Sequence, residues 1–430
     1  MDTTTSRDST PTLTRRQRTR QVAAASVGNA VEWYDWYVYT FLTPVFATQV
    51  FASGDQVSDV LNTFAIFAVG FFFRPIGGLL IGSLADRWGR KNTLTLTILL
   101  MGLGSLIIAA TPTHAAAGIW APVVLVVGRL LSGFSVGGEF AANTTFLIES
   151  APPRRRGLFA SFQYVTTTVG QLLASLTATL LALTLTDAQL EGWGWRIAFV
   201  VGGLLSLVGL WIRSGAEETR VAPPADERPG LLDAVRLYPR QTLLLCGVTV
   251  AGTIAYYTWT TYLPTYAEQN SGVSLDQALL VSTLSLVLFG LAQPALGALS
   301  DRVGRRPVMI AFAVLFGGGI VPALALVRAN STVLGLLAIS AVGMVVVGLW
   351  TSVSAAVNAE LIPGHVRAAG IGFPYSLTVA LFGGTAPYVG TLFTKLGNPG
   401  LFGWYVAALC LVSLVVYVRM PETAARPLPE

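Results

Sequence analysis

Apolar positions in this chain are gathered into long uninterrupted runs, with the charged positions confined to short clusters between them. Charge-free stretches reach from Asn92 to His114, Gly157 to Thr186, Gln241 to Ala267 and Gln277 to Ser300. Others run from Pro307 to Val327, Ala329 to Ala359, Ala368 to Thr394 and Leu396 to Val418. Each exceeds the ~20 residues that cross ~30 Å of hydrocarbon at ~1.5 Å per residue. Further apolar runs near 21–50, 60–84, 120–148 and 194–212 bring the expectation to twelve membrane helices.

Composition agrees with that reading. Hydrophobic residues make up 53% of the 430 positions and charged residues 11%, too little polar surface to wet a soluble domain. The 27 Lys and Arg concentrate in the N-terminal tail, in the connections after the second, fourth, sixth, eighth and tenth runs, and in the C-terminal tail. That alternation places those segments, and both termini, in the cytoplasm. The net charge of +5 reflects this bias together with membrane-buried arginines, so it does not point to nucleic acid. Residues 1–20 are polar and basic without an apolar core and read as a disordered tail rather than a cleaved signal.

The two halves repeat one another. Gly82-x-x-x-Asp86-Arg87-x-Gly89-Arg90 returns as Gly297-x-x-x-Asp301-Arg302-x-Gly304-Arg305. Glu149-x-x-Pro152-x-x-x-Arg156 returns as Glu360-x-x-Pro363-x-x-x-Arg367, and Glu218-Thr219 as Glu422-Thr423. The expected division is a tail at 1–20, six-helix bundles at 21–213 and 241–420, a charged connection at 214–240 and a tail at 421–430. Duplicated halves in a membrane chain suggest a transporter. A phosphate-cradling Gly-x-x-x-x-Gly-Lys loop is excluded, because Lys occurs only at Lys91 and Lys395 and neither follows Gly. His114 and His365 fall in connections, and Cys246 and Cys410 stand alone, so neither hydrolytic, redox nor metal chemistry is expected, nor any cofactor. Energy must come from an ion gradient or from the substrate's own.

Gly82-Ser83-Leu84-Ala85-Asp86-Arg87-Trp88-Gly89-Arg90-Lys91, with its second copy, resembles the signature loop of the major facilitator superfamily. A glycine turn carrying positive charge would explain one copy but hardly its repetition. The resemblance implies an all-α membrane fold of twelve helices in two pseudo-symmetric halves, with the aspartate holding the halves closed on the cytoplasmic side. Under it Asp86 would act near Arg156 and Glu149. Gly28-Asn29-Ala30-Val31-Glu32-Trp33-Tyr34-Asp35, Arg74-Pro75-Ile76-Gly77-Gly78 and Gly133-Phe134-Ser135-Val136-Gly137-Gly138-Glu139 are similar to the metabolite:proton symporter branch. Gln163-Tyr164-Val165-Thr166 and Tyr257-Thr258-Trp259-Thr260-Thr261-Tyr262 resemble its 2-oxoglutarate carriers. The osmolyte carriers of the branch have a long coiled-coil extension, whereas this chain stops shortly after its last apolar run.

Five ionisable residues fall inside the first runs: Glu32, Asp35, Arg74, Arg129 and Glu139. An ion at the bilayer centre costs at least ~2.5 kcal/mol, so these should face one another around a central site. Counting ~1.5 Å per residue puts Glu32 and Arg74 about 18 Å from their cytoplasmic helix ends, near the midplane. Asp35 lies one turn further out on the same face as Glu32, at a depth where it could meet Arg129, and Glu139 returns to mid-depth. Arg74 is the expected anion ligand, while Arg129 has a structural ion pair as an equal alternative. Glu32 and Asp35 are the expected proton carriers, since burial favours the neutral carboxyl, with Glu139 competing. Gln163, Thr167 and Gln171 share one helix face, and Tyr256, Tyr257 and Thr260 with Tyr375 add hydroxyls that suit a small oxygen-rich anion, although interhelical hydrogen bonding would use the same groups.

The expectation is a secondary transporter in the cytoplasmic membrane of a prokaryote. It would be monomeric and would import a small organic anion, 2-oxoglutarate in the first place, with protons by alternating access. Carriers of citrate, shikimate or a proline- or betaine-like osmolyte are the near alternatives, and a multidrug exporter the remote one. A sensor without transport is disfavoured by the lack of a signalling domain.

Overall fold

The computed structural model describes residues 15–88, 90–135, 139–149, 151–214, 233–329 and 332–429. Within these, the side chains of 15–28, 79, 81–94, 139, 142, 143, 146, 212–214, 233 and 234 lie outside the description. The first signature loop (Gly82, Asp86, Arg87, Gly89, Arg90) and the Glu139 carboxylate are therefore outside it, as are the N-tail to residue 14 and the connection at 215–232.

Lipid offers no hydrogen bonds, so a spanning backbone must satisfy itself, and helices do so residue by residue. The first half contains α1 (Arg15–Phe51), α2 (Gln56–Trp88), α3 (Arg90–Ala109), α4 (Trp120–Ser135 and Glu139–Glu149), α5 (Arg156–Thr184) and α6 (Trp195–Ser214). The second contains α7 (Pro239–Tyr257, continuing through a π turn at Thr258–Tyr262 into Leu263–Ser271), α8 (Leu275–Val303), α9 (Arg305–Ala329) and α10 (Val333–Leu361). It ends with α11 (Arg367–Thr378, a π turn at Val379–Gly384, then Ala386–Lys395) and α12 (Gly400–Arg419). The twelve expected helices are thus present in two halves. One boundary differs: α1 begins at Arg15, inside the segment expected to be a disordered tail. Residues 15–20 contain no helix breaker, so the first span propagates into them.

Helices in lipid gain little from burying apolar surface and rely on close packing instead. The crossing of α2 and α4 shows the device. A Cβ on Gly133 would lie 2.4 Å from the Gly70 carbonyl oxygen, and one on Gly70 would press on Arg129 and Trp36, each at 3.2 Å. The two backbones touch there, which sets the depth of Arg129. In the second half α7 and α10 exchange tryptophans. Trp350 of α10 fills the space over Gly252 of α7, and Trp259 of α7 fills the space over Gly343 of α10. Each indole also donates to a backbone carbonyl of the opposite helix, Trp350 to Val248 at 3.1 Å and Trp259 to Ser340 at 2.9 Å.

The halves meet through α5 against α8 and α2 against α11. On the face that carries the second signature loop, the Asp301 carboxylate accepts from the backbone N–H groups of Gly157, at 2.8 Å, and Leu158, at 2.9 Å. These are the first residues of α5, where orphan N–H groups and the helix dipole favour a negative charge. Asp301 thus bonds across to the other half, the kind of contact the resemblance implied for Asp86 in the first copy. Gly157 and Gly297 allow this contact, because a Cβ on either would meet the other's carbonyl oxygen at 2.5 Å. Arg305 ties Asp301 (2.9 Å) and Glu360 (3.4 Å) together. Arg302 is in the last turn of α8 and Gly304, with φ +100°, makes the turn into α9.

Glu149 and Arg156, expected beside Asp86, have described partners in the second half. Glu149 pairs with Arg367 at 2.6 Å, and Arg156 donates to the Arg426 carbonyl at 2.7 Å. Arg367 donates in turn to the Pro429 carbonyl at 3.0 Å, so the C-terminal tail binds the equivalent arginines of both repeats. Glu422 accepts from the N–H groups of Arg305 and Arg306 at the start of α9. Partial burial opposes its charge, yet these bonds and one from Ala424 outweigh that cost and hold the carboxyl below the usual range. On the opposite face Gln56 of α2 reaches Glu268 of α7 at 3.5 Å, and Phe64 packs edge-on against Tyr262. The halves are therefore in contact on both faces.

Asp301→Asn removes the charge from the α5 cap and leaves one acceptor oxygen where two now serve. With Cys246 and Cys410 replaced by Ala, a cysteine placed at the buried Ser161 position next to this contact should react with a small maleimide several-fold faster in the Asp301→Asn background, by about 1–2 kcal/mol of weakened closure. Equal labelling rates would show that Asp301 does not hold the halves together.

Candidate anion and proton site

Three of the ionisable residues singled out from sequence, Asp35, Arg74 and Arg129, come together between α1, α2 and α4. Arg129 of α4 is fully buried, and its Nη1 lies 3.4 Å from the Asp35 carboxylate of α1. The expected meeting of these two residues is therefore present, as a long and imperfect ion pair. Asp35 Oδ1 and Arg129 Nε and Nη2 are buried without hydrogen-bond partners. Rings supply what the carboxylate does not. The Arg129 guanidinium carbon sits 3.8 Å from the centre of Trp36, 4.5 Å from Tyr39 and 5.2 Å from Phe67.

Arg74 of α2 is held in the same fashion. Its guanidinium carbon lies 4.3 Å from the ring centres of Trp36 and Phe71 and 5.1 Å from Trp33. Its Nε and Nη2 atoms are buried and without hydrogen-bond partners, and so is Trp36 Nε1. A ring face attracts a desolvated guanidinium by about 0.5–2 kcal/mol but accepts no hydrogen bond in the plane of the fork. The cages hold the two charges in place while leaving N–H donors uncommitted. Each such buried donor costs about 1–3 kcal/mol, a cost that an acceptor-only group would remove. Glu32 is buried one turn along α1 from Trp36.

The other predicted lining residues form a separate hydrogen-bonded layer that crosses between halves. Tyr37 of α1 donates to the Tyr256 hydroxyl at 2.6 Å, Tyr256 donates to Gln171 Oε1 at 3.3 Å, and Gln171 Nε2 donates to the Thr260 carbonyl at 3.0 Å. Thr260 and Thr167 turn their hydroxyls back onto their own helices, to the Tyr256 and Gln163 carbonyls. Gln163 keeps an uncommitted, buried Nε2. Tyr375 of α11 meets the Tyr164 hydroxyl at 3.3 Å and stacks flat on Phe140 of α4, ring centres 4.0 Å apart. That stack and the edge-on contact of Tyr257 with Phe71, at 5.3 Å, both join the two halves beside the arginines.

Sequence reasoning passed over the rings themselves. Trp33, Trp36 and Phe71 look like apolar filler in a membrane helix, although Trp36 stands four residues after Glu32, where helical spacing puts the two on one face. It also missed Asn358 of α10, fully buried with both amide atoms unpartnered, whose only signal was a lone amide in a long charge-free run. The π turns at Thr258–Tyr262 and Val379–Gly384 were equally invisible. They widen α7 and α11 beside Tyr257 and bring Gly383 and Gly384 against Tyr257 and Phe71.

Known proteins agree with this architecture. The family described as "Sugar (and other) transporter" matches residues 21–221, and the Major Facilitator Superfamily matches residues 244–430. The alpha-ketoglutarate permease of Escherichia coli (strain K12) is 39% identical over 406 residues, covering 94% of each chain. The proline/betaine transporter of the same organism is 31% identical over 424 residues, 95% of this chain and 84% of its own. In fold the chain matches a crystal structure of a D-xylose-proton symporter with a TM-score of 0.73, at 19% identity over 96% of this chain and all of that one. An inward open conformation of the E. coli xylose transporter matches with a TM-score of 0.71. Family matches over both six-helix halves, together with 39% identity to the alpha-ketoglutarate permease along nearly the whole chain, make this chain a member of the major facilitator superfamily.

Proposed function

We propose that this transporter carries a small dicarboxylate, 2-oxoglutarate, into a bacterial cell together with protons by alternating access. The observation that carries the reading is the pair of buried arginines whose ring cages leave N–H donors uncommitted on each guanidinium. Acceptor-only groups fit such donors, and a carboxylate matches the planar guanidinium fork two bonds at a time. The likeness to the alpha-ketoglutarate permease supports a two-carboxylate substrate. In this reading Arg74 takes one carboxylate. Protonation of Asp35 weakens its already long contact with Arg129, which is then available to the second. Substrate and proton thus favour one state together, which supplies the differential affinity that a coupled conformational change requires. The signature-loop face, with Asp301 and Glu149–Arg367, is the cytoplasmic gate. The Gln56–Glu268 and Phe64–Tyr262 contacts form the outer gate.

Reconstituted in proteoliposomes, the protein should accumulate labelled 2-oxoglutarate under an inward proton gradient and lose the accumulation on adding a protonophore. Uptake driven equally by sodium at constant pH, or uptake of betaine in place of the dicarboxylate, would overturn the reading.

Arg74→Lys keeps a cation among the same rings but loses the planar fork, so the apparent affinity for 2-oxoglutarate should fall about tenfold or more while the protein still inserts. An unchanged KM removes Arg74 from the site.

Asp35→Asn copies the neutral carboxyl in shape and cannot release a proton. It should keep exchange of labelled for unlabelled substrate, which needs only the loaded form to shuttle, and lose accumulation against a gradient. If Asp35→Asn and Glu32→Gln both accumulate while Glu139→Gln does not, the proton is carried on α4.

A further inference from the structure

Among the described rings, Trp36 is the one that touches both halves of the proposed coupling chemistry. Its indole lies 4.3 Å from the Arg74 guanidinium carbon and 3.8 Å from that of Arg129, while the residue before it, Asp35, is the carboxylate paired with Arg129. It is 1% exposed, braced edge-on by Phe67 at 5.5 Å and Phe71 at 4.4 Å, and held from α2 by the Gly70 backbone. Both guanidiniums thus rest on one ring that is packed on several sides.

We propose that Trp36 is the positioning residue that couples substrate to proton, by fixing the Arg74 and Arg129 guanidiniums on one indole within a water-free space. The inference rests on the proton-coupled dicarboxylate reading and adds to it the part that transmits the coupling. Its physics is charge on charge. The two guanidiniums repel each other, and the positive field they set up opposes protonation of Asp35, which pairs with Arg129. A substrate anion on these donors cancels that positive field, so Asp35 holds its proton more firmly once substrate is bound. Reciprocity then requires that a proton on Asp35 tightens substrate binding by the same factor. The strength of this linkage depends on separation and on the exclusion of water, and the indole sets both. Without it, water and side-chain movement screen the charges and the two events become independent.

Other polar and titratable groups surround the pair. Glu32, Tyr34 and Tyr39 face it from α1 itself, Ser105 from α3, Ser132 from α4 and Tyr257 from α7. Among the described rings, Trp36 alone lies under both guanidiniums. Its own N–H adds a further uncommitted donor to the same cluster.

The test compares wild type, Trp36→Phe and Trp36→Leu in proteoliposomes with labelled 2-oxoglutarate, measuring KM against pH, exchange and gradient-driven accumulation. In the wild type KM should fall about tenfold from about pH 8 to about pH 6, the size of linkage expected for coupled sites. Trp36→Leu should flatten that dependence and lower accumulation far more than exchange. Trp36→Phe, which keeps a smaller ring, should lie between. A Leu variant with the wild-type pH dependence and full accumulation overturns the proposal, and if that variant fails to insert, a Phe variant with an undiminished pH dependence does so. A wild-type protein whose KM ignores pH would instead overturn the proton-coupled reading on which the inference stands.

Discussion

Two positive charges placed in lipid without full counter-charges govern this molecule. An arginine at the bilayer centre costs several kcal/mol unless something replaces its water. Here one partial ion pair and two aromatic cages do so. The requirement reaches outward through the fold. The rings must come from α1 and α2, α4 must approach closely enough to deliver Arg129, and that approach is possible only because Gly133 lies directly on the Gly70 backbone. Helix packing in the first half thereby follows from the need to solvate two guanidiniums with ring faces.

The second half meets no such demand and is built differently. It contributes hydroxyls, amides and rings to the centre, while Asp301, Arg305, Glu360 and Arg367 on the signature-loop face bridge to the first half or to the tail. Pseudo-symmetry in sequence has accordingly become a division of labour in structure. Equivalent arginines, Arg156 and Arg367, keep equivalent positions and both bind tail carbonyls, and among the described ion pairs Arg367 meets the glutamate of the other repeat.

The sequence made the spans legible because charge cannot be hidden in lipid, so its absence over twenty residues carries nearly all the information about where the helices lie. The meeting of Asp35 with Arg129 was legible for the same reason, since isolated membrane charges have few places to go and helix rise fixes their depth. The indole between the arginines was not, because a tryptophan in an apolar run looks alike whether it faces lipid or a cation. Asp301 as a cap on α5 was hidden too. A carboxylate's choice between two helix ends depends on how the halves cross, and no local pattern records that crossing. The π turns follow from an extra residue accommodated by neighbours, which again is a tertiary fact.

The exchange of tryptophans between α7 and α10 binds the history of four positions together. Trp350 occupies the room that Gly252 leaves, and Trp259 the room at Gly343, with each indole also fastened to the backbone opposite. A lineage can enlarge either glycine only after the facing tryptophan has shrunk, and a shrunken tryptophan leaves a gap until the glycine has grown. Both intermediates are poor, so these pairs should change seldom and together. The two helices they join will diverge as one unit, while residues on their lipid faces drift freely.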